Sequence, residues 1–503
     1  MCHVRPAFGA IALATDRKPQ LLSHPTRSPS SYPQPSPELV ARFAAIVGPQ
    51  HTLTDPDAQS PYLREWRDRY VGRAAAVLRP GSTAEVAAIL KLAGEHGVAV
   101  VPQSGNTGLV GGQIPFEAGN EVVLSLARMK AIRAIEPSGA SMIVEAGVTL
   151  AEAQAAAESA GRYFPLSLPS EGTAQVGGAL ATNAGGVAVL AYGNARAFVL
   201  GLEVVLADGR VWNGLKTLKK DNTGYDLKNL FVGSEGTLGI ITAAALKLYA
   251  RPAEKATALV SLQDTAALTK LFRLVEARGG TAVTAFEFMS DFAMRCVTKH
   301  VPGARLPFAE AAPWFALIEL SSLSEDGSAA ALMETLLTEA AEQDLVTDAV
   351  IAQSLSQARD FWRLREELSD AQKHEGGSIK HDVSVPISDM AEFIARADAV
   401  VAKVCPGARP MPFGHFGDGN VHYNVTQPEG MDKAAYLALW DPMQNAVHEV
   451  VAGMNGSISA EHGIGRMKRH ELPHVKSDVE MDLMRRIKSV LDPNGILNPG
   501  KVL

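Results

Sequence analysis

Two histidines and a glutamate carry the most specific chemical signal in this chain. Around Asp418-Gly419 the segment PFGHFGDGNVHYNV, residues 412–425, reads as a β-hairpin with a two-residue type I′ turn. That turn predicts the cross-strand pairs Gly417 with Asn420, Phe416 with Val421, His415 with His422 and Phe413 with Asn424. Directly opposed residues hold their Cβ atoms about 4.5–5.5 Å apart on one face, close enough for two imidazoles to converge on one ion. Two ordinary surface histidines are the plainer reading, but opposition across a tight turn favours a metal. Alternation places Asn424 on the same face. Downstream, SAEHGIG at 459–465 offers Glu461 as a third ligand, with His462 beside it. Such a donor set suits zinc, and manganese or iron takes the same ligand types. Asp418 is assigned to the turn itself.

Cations stand near this signal in the sequence. Residues 360–373 read as a helix on which Phe361, Arg365 and Ser369 recur every four positions, so Arg365 faces inward. Residues 378–386 alternate as a strand, with Lys380, Asp382 and Ser384 on one side. Taken alone, such cations are more often solvated or salt-bridged at a surface. The first half of the chain has a different character, with glycine-rich loops at 104–112, 177–186 and 233–239. Glycine lets a backbone approach an anion closely and present successive N–H groups, and interspersed Ser, Thr and Asn add donors, so three such loops suit a pyrophosphate. None fits G-x-G-x-x-G after a strand, which disfavours a nicotinamide fold.

The ordered series PQSGNTGLVGG, LPSEGTAQVGGALATNAGG, YGNAR, NTGYDLKNLFVGSEGTLGIIT and terminal LNPGK resembles the vanillyl-alcohol-oxidase type of FAD-binding protein over nearly the whole chain. Within it the sequence is similar to the D-2-hydroxyglutarate and D-lactate dehydrogenase branch. The resemblance implies an α+β fold: a two-part FAD-binding domain, an α+β substrate domain and a C-terminal helical segment returning to the flavin. It assigns Ser104, Gly105, Asn106, Thr107, Gly108, Leu109, Gly111 and Gly112 to the pyrophosphate. Pro169, Ser170, Gly172, Thr173, Gly177, Gly178, Thr182, Asn183 and Gly185 would line the FAD, followed by Glu235, Gly236, Ile240, Ile241 and Asn498. Residues 104–112 contain no His or Cys, so the flavin is expected to be held non-covalently. By the same resemblance Glu461 completes the His415, His422 metal set, while Arg365, Ser369, Lys380, Asn424 and His462 bind substrate. Ser stands at 369 where members are expected to carry Thr.

These assignments imply metal-assisted oxidation of a D-2-hydroxy acid, with His462 as general base and hydride passing to the flavin. A divalent ion with one glutamate keeps one positive charge, and Arg365 and Lys380 add two, which favours a dicarboxylate such as D-2-hydroxyglutarate over lactate or glycolate. If Asp382 pairs Lys380, that surplus disappears. A metallohydrolase would leave the glycine-rich half unexplained, and a non-catalytic FAD-binding subunit would leave the second half unexplained.

Positioning these groups takes more than one core, as expected for 503 residues. Residues 1–36, basic and rich in Ser and Pro, read as a disordered leader, with a targeting peptide as the alternative. Residues 37–250 alternate helices (37–47, 83–96, 150–160) with short strands (98–102, 122–126, 142–145, 199–206) and form the FAD-binding domain. Residues 251–503, after Arg251-Pro252, carry longer Ala/Leu/Glu-rich helices and form the substrate and metal-binding domain. A net charge of −7 disfavours nucleic acid, and three scattered cysteines give neither a disulfide framework nor a thiolate metal site. No apolar run has the length of a membrane span. The expected compartment is the cytoplasm for a bacterial chain and the mitochondrion for a eukaryotic one. Expected partners are a small 2-hydroxy acid, an electron acceptor such as an electron-transfer flavoprotein, cytochrome or quinone, and a second copy in a homodimer.

Overall fold

The computed structural model describes residues 28–503. Of the expected leader, residues 1–27 lie outside the described residues. Residues 28–36 pack on the fold instead of forming part of a disordered leader. Tyr32 is buried, its hydroxyl donates to the Gly495 carbonyl at 2.6 Å, and its carbonyl accepts from the Asn120 amide at 2.8 Å. One buried aromatic outweighs a Ser/Pro composition, because it removes a large apolar surface from water.

The first helix, Pro37–Val47, starts where Ser36 accepts from the Leu39 N–H. Thr83–His96 likewise starts at Ser82 and stops at Gly97, whose left-handed backbone (φ 65°) closes the last turn. Both buried faces pack on a four-stranded sheet ordered Thr52–Leu53, Ala76–Leu78, Glu121–Ser125 and Ala99–Gln103. A five-stranded antiparallel sheet follows, ordered Ile132–Glu136, Ser141–Glu145, Ile240–Lys247, Val199–Val205 and Val211–Gly214.

The third sheet has eight strands and is built from residues 254–426. Period-two alternation gives it two unlike faces. One carries Val260, Phe286, Phe288, Ile318, Val421 and Tyr423 beneath the helices Thr265–Gly279, Ser328–Glu342 and Met390–Val404. The other carries Leu259, Met289, Leu317, Met411 and Phe413 beneath Asp291–His300 and Leu355–Glu366. On the part of that second face next to Met411 and Phe413, the alternating positions turn from apolar to ionisable. The chain end then returns to the first sheet. Leu497 bridges Val100, and Lys501, wholly buried, pairs with Glu121 at 3.2 Å. Among the described residues no helix is long and apolar enough to cross a membrane.

Candidate active site

The hairpin at 409–426 forms with a different closure from the one its turn residues suggest. Phe413 pairs with His422 and Met411 with Asn424, so the register is two residues away from that of a type I′ hairpin. A 3-10 turn, Phe416–Asp418, closed by left-handed Gly419 (φ 81°) takes up the extra residues. Asp418 serves this turn by accepting from the Asn420 N–H at 3.0 Å. Because the shift is even, it keeps every side chain on its expected face. His415 and His422 therefore still meet, with ring centroids 5.6 Å apart.

The strand reading at 378–386 also needs one correction. Pairing with the hairpin is interrupted at Lys380 and His381, but Ser378 opposite Thr426 and Asp382 opposite His422 belong to one register. That register sets Lys380 across from Asn424, with Asp382, His422 and Phe413 forming the adjacent row.

Glu461 comes from a separate loop and faces both histidines. Its two carboxylate oxygens lie 3.8 Å from His415 Nε2 and 3.8 Å from His422 Nε2, and the ligand atoms of the three residues all fall within 4.8 Å of one another. These gaps are too long for hydrogen bonds and near the roughly 3.4 Å between two ligands of one tetrahedral zinc at about 2.1 Å. Burial, with Asp382 and Asp418 nearby, pushes the Glu461 carboxyl up to about 7. The donor set thus fits a divalent ion. Glu461 also accepts from the Gly186 N–H at 3.0 Å, and a Cβ on Gly185 would lie 2.5 Å from the same oxygen, so a side chain there would displace the carboxylate.

Two carboxylates behind the ligands were not assigned these roles from the sequence. Glu287, on the strand Val283–Ser290 and paired in register with His415, accepts from His415 Nδ1 at 2.7 Å. This leaves Nε2 facing the Glu461 carboxylate. Burial alone would lower the His415 pKa, but Glu287 raises it to about 9. A lone carboxylate in the run VTAFEFMS was the available signal, since such a group is rarely buried without a partner. Asp382 does not pair with Lys380. It accepts from the N–H groups of Glu461 at 3.0 Å and His462 at 2.9 Å, from the Asn420 amide at 3.0 Å, and lies 3.5 Å from His462 Nδ1. Burial works against its charge, yet His462, Lys468 and His422 hold it well below the ordinary carboxylate range. Burial lowers His462 to about 4, which leaves its imidazole neutral.

The expected helix at 360–373 is Leu355–Glu366 followed by the short helix Leu368–Ala371, and the inward stripe survives the break. Arg365 is buried and donates through Nε to Glu287 at 2.8 Å, while its Nη2 is buried without a partner. Ser369 contributes its carbonyl to the site, accepting from Lys380 Nζ at a weak 3.5 Å. Burial, with Arg67 and Lys373 nearby, pulls the Lys380 ammonium down to about 7. Arg67, between the bridged residues Arg64 and Val71, is a cation the sequence reading missed. Asn424 is buried and donates to Gln372 Oε1 at 3.0 Å.

The flavin side is made mainly of backbone. Asn498 Nδ2 ties the carbonyl of Gly112 (3.0 Å) to that of Glu235 (2.9 Å). A Cβ on Gly178 would lie 2.9 Å from Ser104 Cβ, so the loops 104–112, 177–186 and 233–239 converge. Ser104 Oγ and Asn498 Oδ1 are buried without partners, and Gly172 faces open space, features that fit a polar cofactor entering there. Not every assigned residue offers its side chain. Ile240 and Ile241 pack into two different cores, Thr182 donates to Gly178, and Asn106 donates to the carbonyls of Pro61 and Arg64. Asn183 accepts from the Arg196 N–H at 2.9 Å, and Glu235 turns toward residues 464–465. Gly105 is there for close packing, since a Cβ would strike the Thr173 carbonyl at 2.0 Å. At Gly177 a Cβ would lie 2.6 Å from that of Ala146.

Comparison with known proteins gives two domain matches: a FAD binding domain over residues 74–214, and the C-terminal domain of FAD linked oxidases over 251–502. D-2-hydroxyglutarate dehydrogenase of Stutzerimonas stutzeri (strain A1501) is 36% identical, across 93% of this chain and 99% of its own. The mitochondrial D-2-hydroxyglutarate dehydrogenase of Bos taurus is 37% identical, across 97% and 88%, and that of Arabidopsis thaliana 38%, across 92% and 81%. Among solved structures, p-cresol methylhydroxylase with substrate bound superposes with a TM-score of 0.75 at 18% identity, covering 92% of this chain and 96% of its own. The 4-ethylphenol oxidase of Gulosibacter chungangensis, in an isoeugenol complex, gives 0.69 at 20%, covering 92% and 96%. The fold is therefore of the vanillyl-alcohol-oxidase type.

Proposed function

The chain belongs to the FAD-linked oxidase family, and on that premise we propose that it oxidises D-2-hydroxyglutarate to 2-oxoglutarate with the aid of a divalent metal ion. One observation carries the choice of a dicarboxylate: two cations beside the His415, His422, Glu461 set, Arg365 buried and Lys380 half-buried, have donors left over. Arg365 Nη2 has no partner, and Lys380 reaches only a carbonyl at 3.5 Å. Leaving such donors unmet in the bound state costs a few kcal/mol, so each favours a carboxylate.

Glu287 alters the charge count but not its direction. It neutralises Arg365 in part through Nε, while Asp382, the group that would have cancelled Lys380, is committed to His462 and the 461–462 backbone. Arg365, with an ion held by His415, His422 and Glu461, would take the carboxylate beside the hydroxyl, and Lys380, one row away beside Asn424, would take the distal one. His462 is neutral and fixed by Asp382, so it can take the hydroxyl proton. Bound FAD would supply the hydride acceptor, and a metal held by His415, His422 and Glu461 would lower the pKa of the hydroxyl. Residues 104–112 offer no nucleophile, so acid or heat releases the whole flavin. An external acceptor such as an electron-transfer flavoprotein, a cytochrome or a quinone reoxidises it.

The test is anaerobic flavin bleaching and steady-state kcat/KM with D-2-hydroxyglutarate and D-lactate, in wild type and Lys380→Met. A site built to pair a polar group rejects analogues lacking it by about 10⁴. The expected wild-type ratio is therefore several orders of magnitude, falling sharply in Lys380→Met. A wild-type ratio near one would sink the dicarboxylate assignment.

A further inference from the structure

Glu235 lies on the flavin-binding segment 233–239, yet its carboxylate leaves that segment. Oε1 accepts from the Ile464 N–H at 2.7 Å and Oε2 from the Gly465 N–H at 2.9 Å. Residues 459–465 carry Glu461 and His462, whose own N–H groups are held by Asp382. One short loop is thus gripped at its first half by a carboxylate of the substrate sheet and at its second half by one from the flavin segment.

Three further features show that the second grip is built. Glu235 has a left-handed backbone (φ 51°), which glycine adopts freely and glutamate resists. Its backbone is held there by its own N–H to the Ala181 carbonyl at 2.8 Å and by Asn498 on its carbonyl at 2.9 Å. The space around the carboxylate is cleared by glycine: a Cβ on Gly463 would lie 2.6 Å from Oε1, and one on Gly112 3.2 Å from Oε2. Strain of this kind, kept where the surroundings over-determine it, accompanies a functional constraint.

We infer that Glu235 is a positioning residue of the metal and base site, fixing Glu461 and His462 from the flavin side through the backbone of residues 464–465. This rests on the metal reading above. The chemistry requires a carboxylate, because two N–H donors face its two oxygens. In a glutamine one of those oxygens becomes an NH2 that meets an N–H head-on. An aspartate keeps both acceptors and tolerates the left-handed backbone better, but falls one methylene short. Outer partners of metal ligands are worth about 10- to 100-fold in metal affinity when removed.

The experiment uses flavin-loaded full-length protein. Zinc affinity is measured by chelator competition, flavin content by absorbance and folding by thermal melt, for wild type, Glu235→Gln and Glu235→Asp. The expected result is a full flavin complement in both variants and zinc binding weakened about 10- to 100-fold in Glu235→Gln, less in Glu235→Asp. Saturating zinc should restore metal content in Glu235→Gln without restoring kcat, since His462 sits on the same loop. Zinc affinity within twofold of wild type in folded Glu235→Gln, a greater loss of zinc affinity in Glu235→Asp than in Glu235→Gln, or loss of flavin with unchanged zinc affinity overturns the role of Glu235 alone. Wild-type protein that binds no zinc overturns the metal reading and this role together.

Discussion

The two halves of the site are made from opposite materials. The flavin half is loop and backbone, where glycines permit close approach and few side chains are free. The acid half is a regular sheet face on which side chains do nearly everything, each placed by register and backed by another ionisable group. Backbone sites tolerate the loss of one side chain, whereas a sheet face of mutually dependent charges does not. Substitutions of equal chemical size should therefore differ in consequence between the halves.

The largest effect is expected from removing a metal ligand. His422→Ala or Glu461→Ala should lower kcat by at least ~10³-fold, since an ion held there would contribute several kcal/mol to the transition state, while flavin absorbance is retained. Near wild-type turnover with unchanged metal content would break the contrast at its root.

Next comes Glu287→Gln, which leaves Arg365 without its carboxylate and His415 without its orienting partner. Breaking one side of a buried pair costs about 3–5 kcal/mol, to be read as a lower midpoint in urea unfolding. Unfolding indistinguishable from wild type would mean that the sheet face does not depend on its rear carboxylate.

A pH profile sharpens the contrast within the acid half. Lys380 loses its proton near pH 7 in the free protein, so its pairing with a distal carboxylate is available below that pH and fades above it. The ratio of kcat/KM for D-2-hydroxyglutarate to that for D-lactate should therefore fall as pH rises from 6 to 9, by up to about tenfold per unit above the pKa. A ratio flat across that range would exclude Lys380 as the discriminating cation.

The smallest effect belongs to the flavin half. Ser104→Ala removes one neutral donor whose Oγ is now unpartnered, worth about 0.5–1.5 kcal/mol, or two- to tenfold in FAD affinity by titration of the flavin-free protein. With FAD in excess, turnover should match wild type. A loss as severe as that from a metal ligand would erase the difference between the halves.

How much could be read in advance follows the same division. The glycine-rich segments were legible as a cofactor cradle because a backbone-binding loop needs particular residue types in a particular order. The sequence could not say which of their side chains are free. Glu235 reads as one of the flavin set, and only the approach of residues 464–465, some 230 positions away, shows where its carboxylate goes. The leader was misjudged at 28–36 for a related reason, since the partners of Tyr32 lie 88 and 463 residues away.

On the sheet face, His415, His422 and Asn424 were legible because side-chain alternation is a property of the strand itself. The wrong turn type did no harm to the facing, since an even register shift leaves parity unchanged. Residue order thus determined which side chains share a face, which loops can cradle a polyanion, and that a His, His, Glu set was available. Tertiary structure alone decided that Glu287 stands behind His415 across 128 residues, that Asp382 serves His462 and leaves Lys380 open, and that Glu461 meets Gly186 across 275. Facing is fixed by bonds between neighbours, but the pairing of charges depends on which distant strands and loops the folded chain brings within about 4 Å of one another.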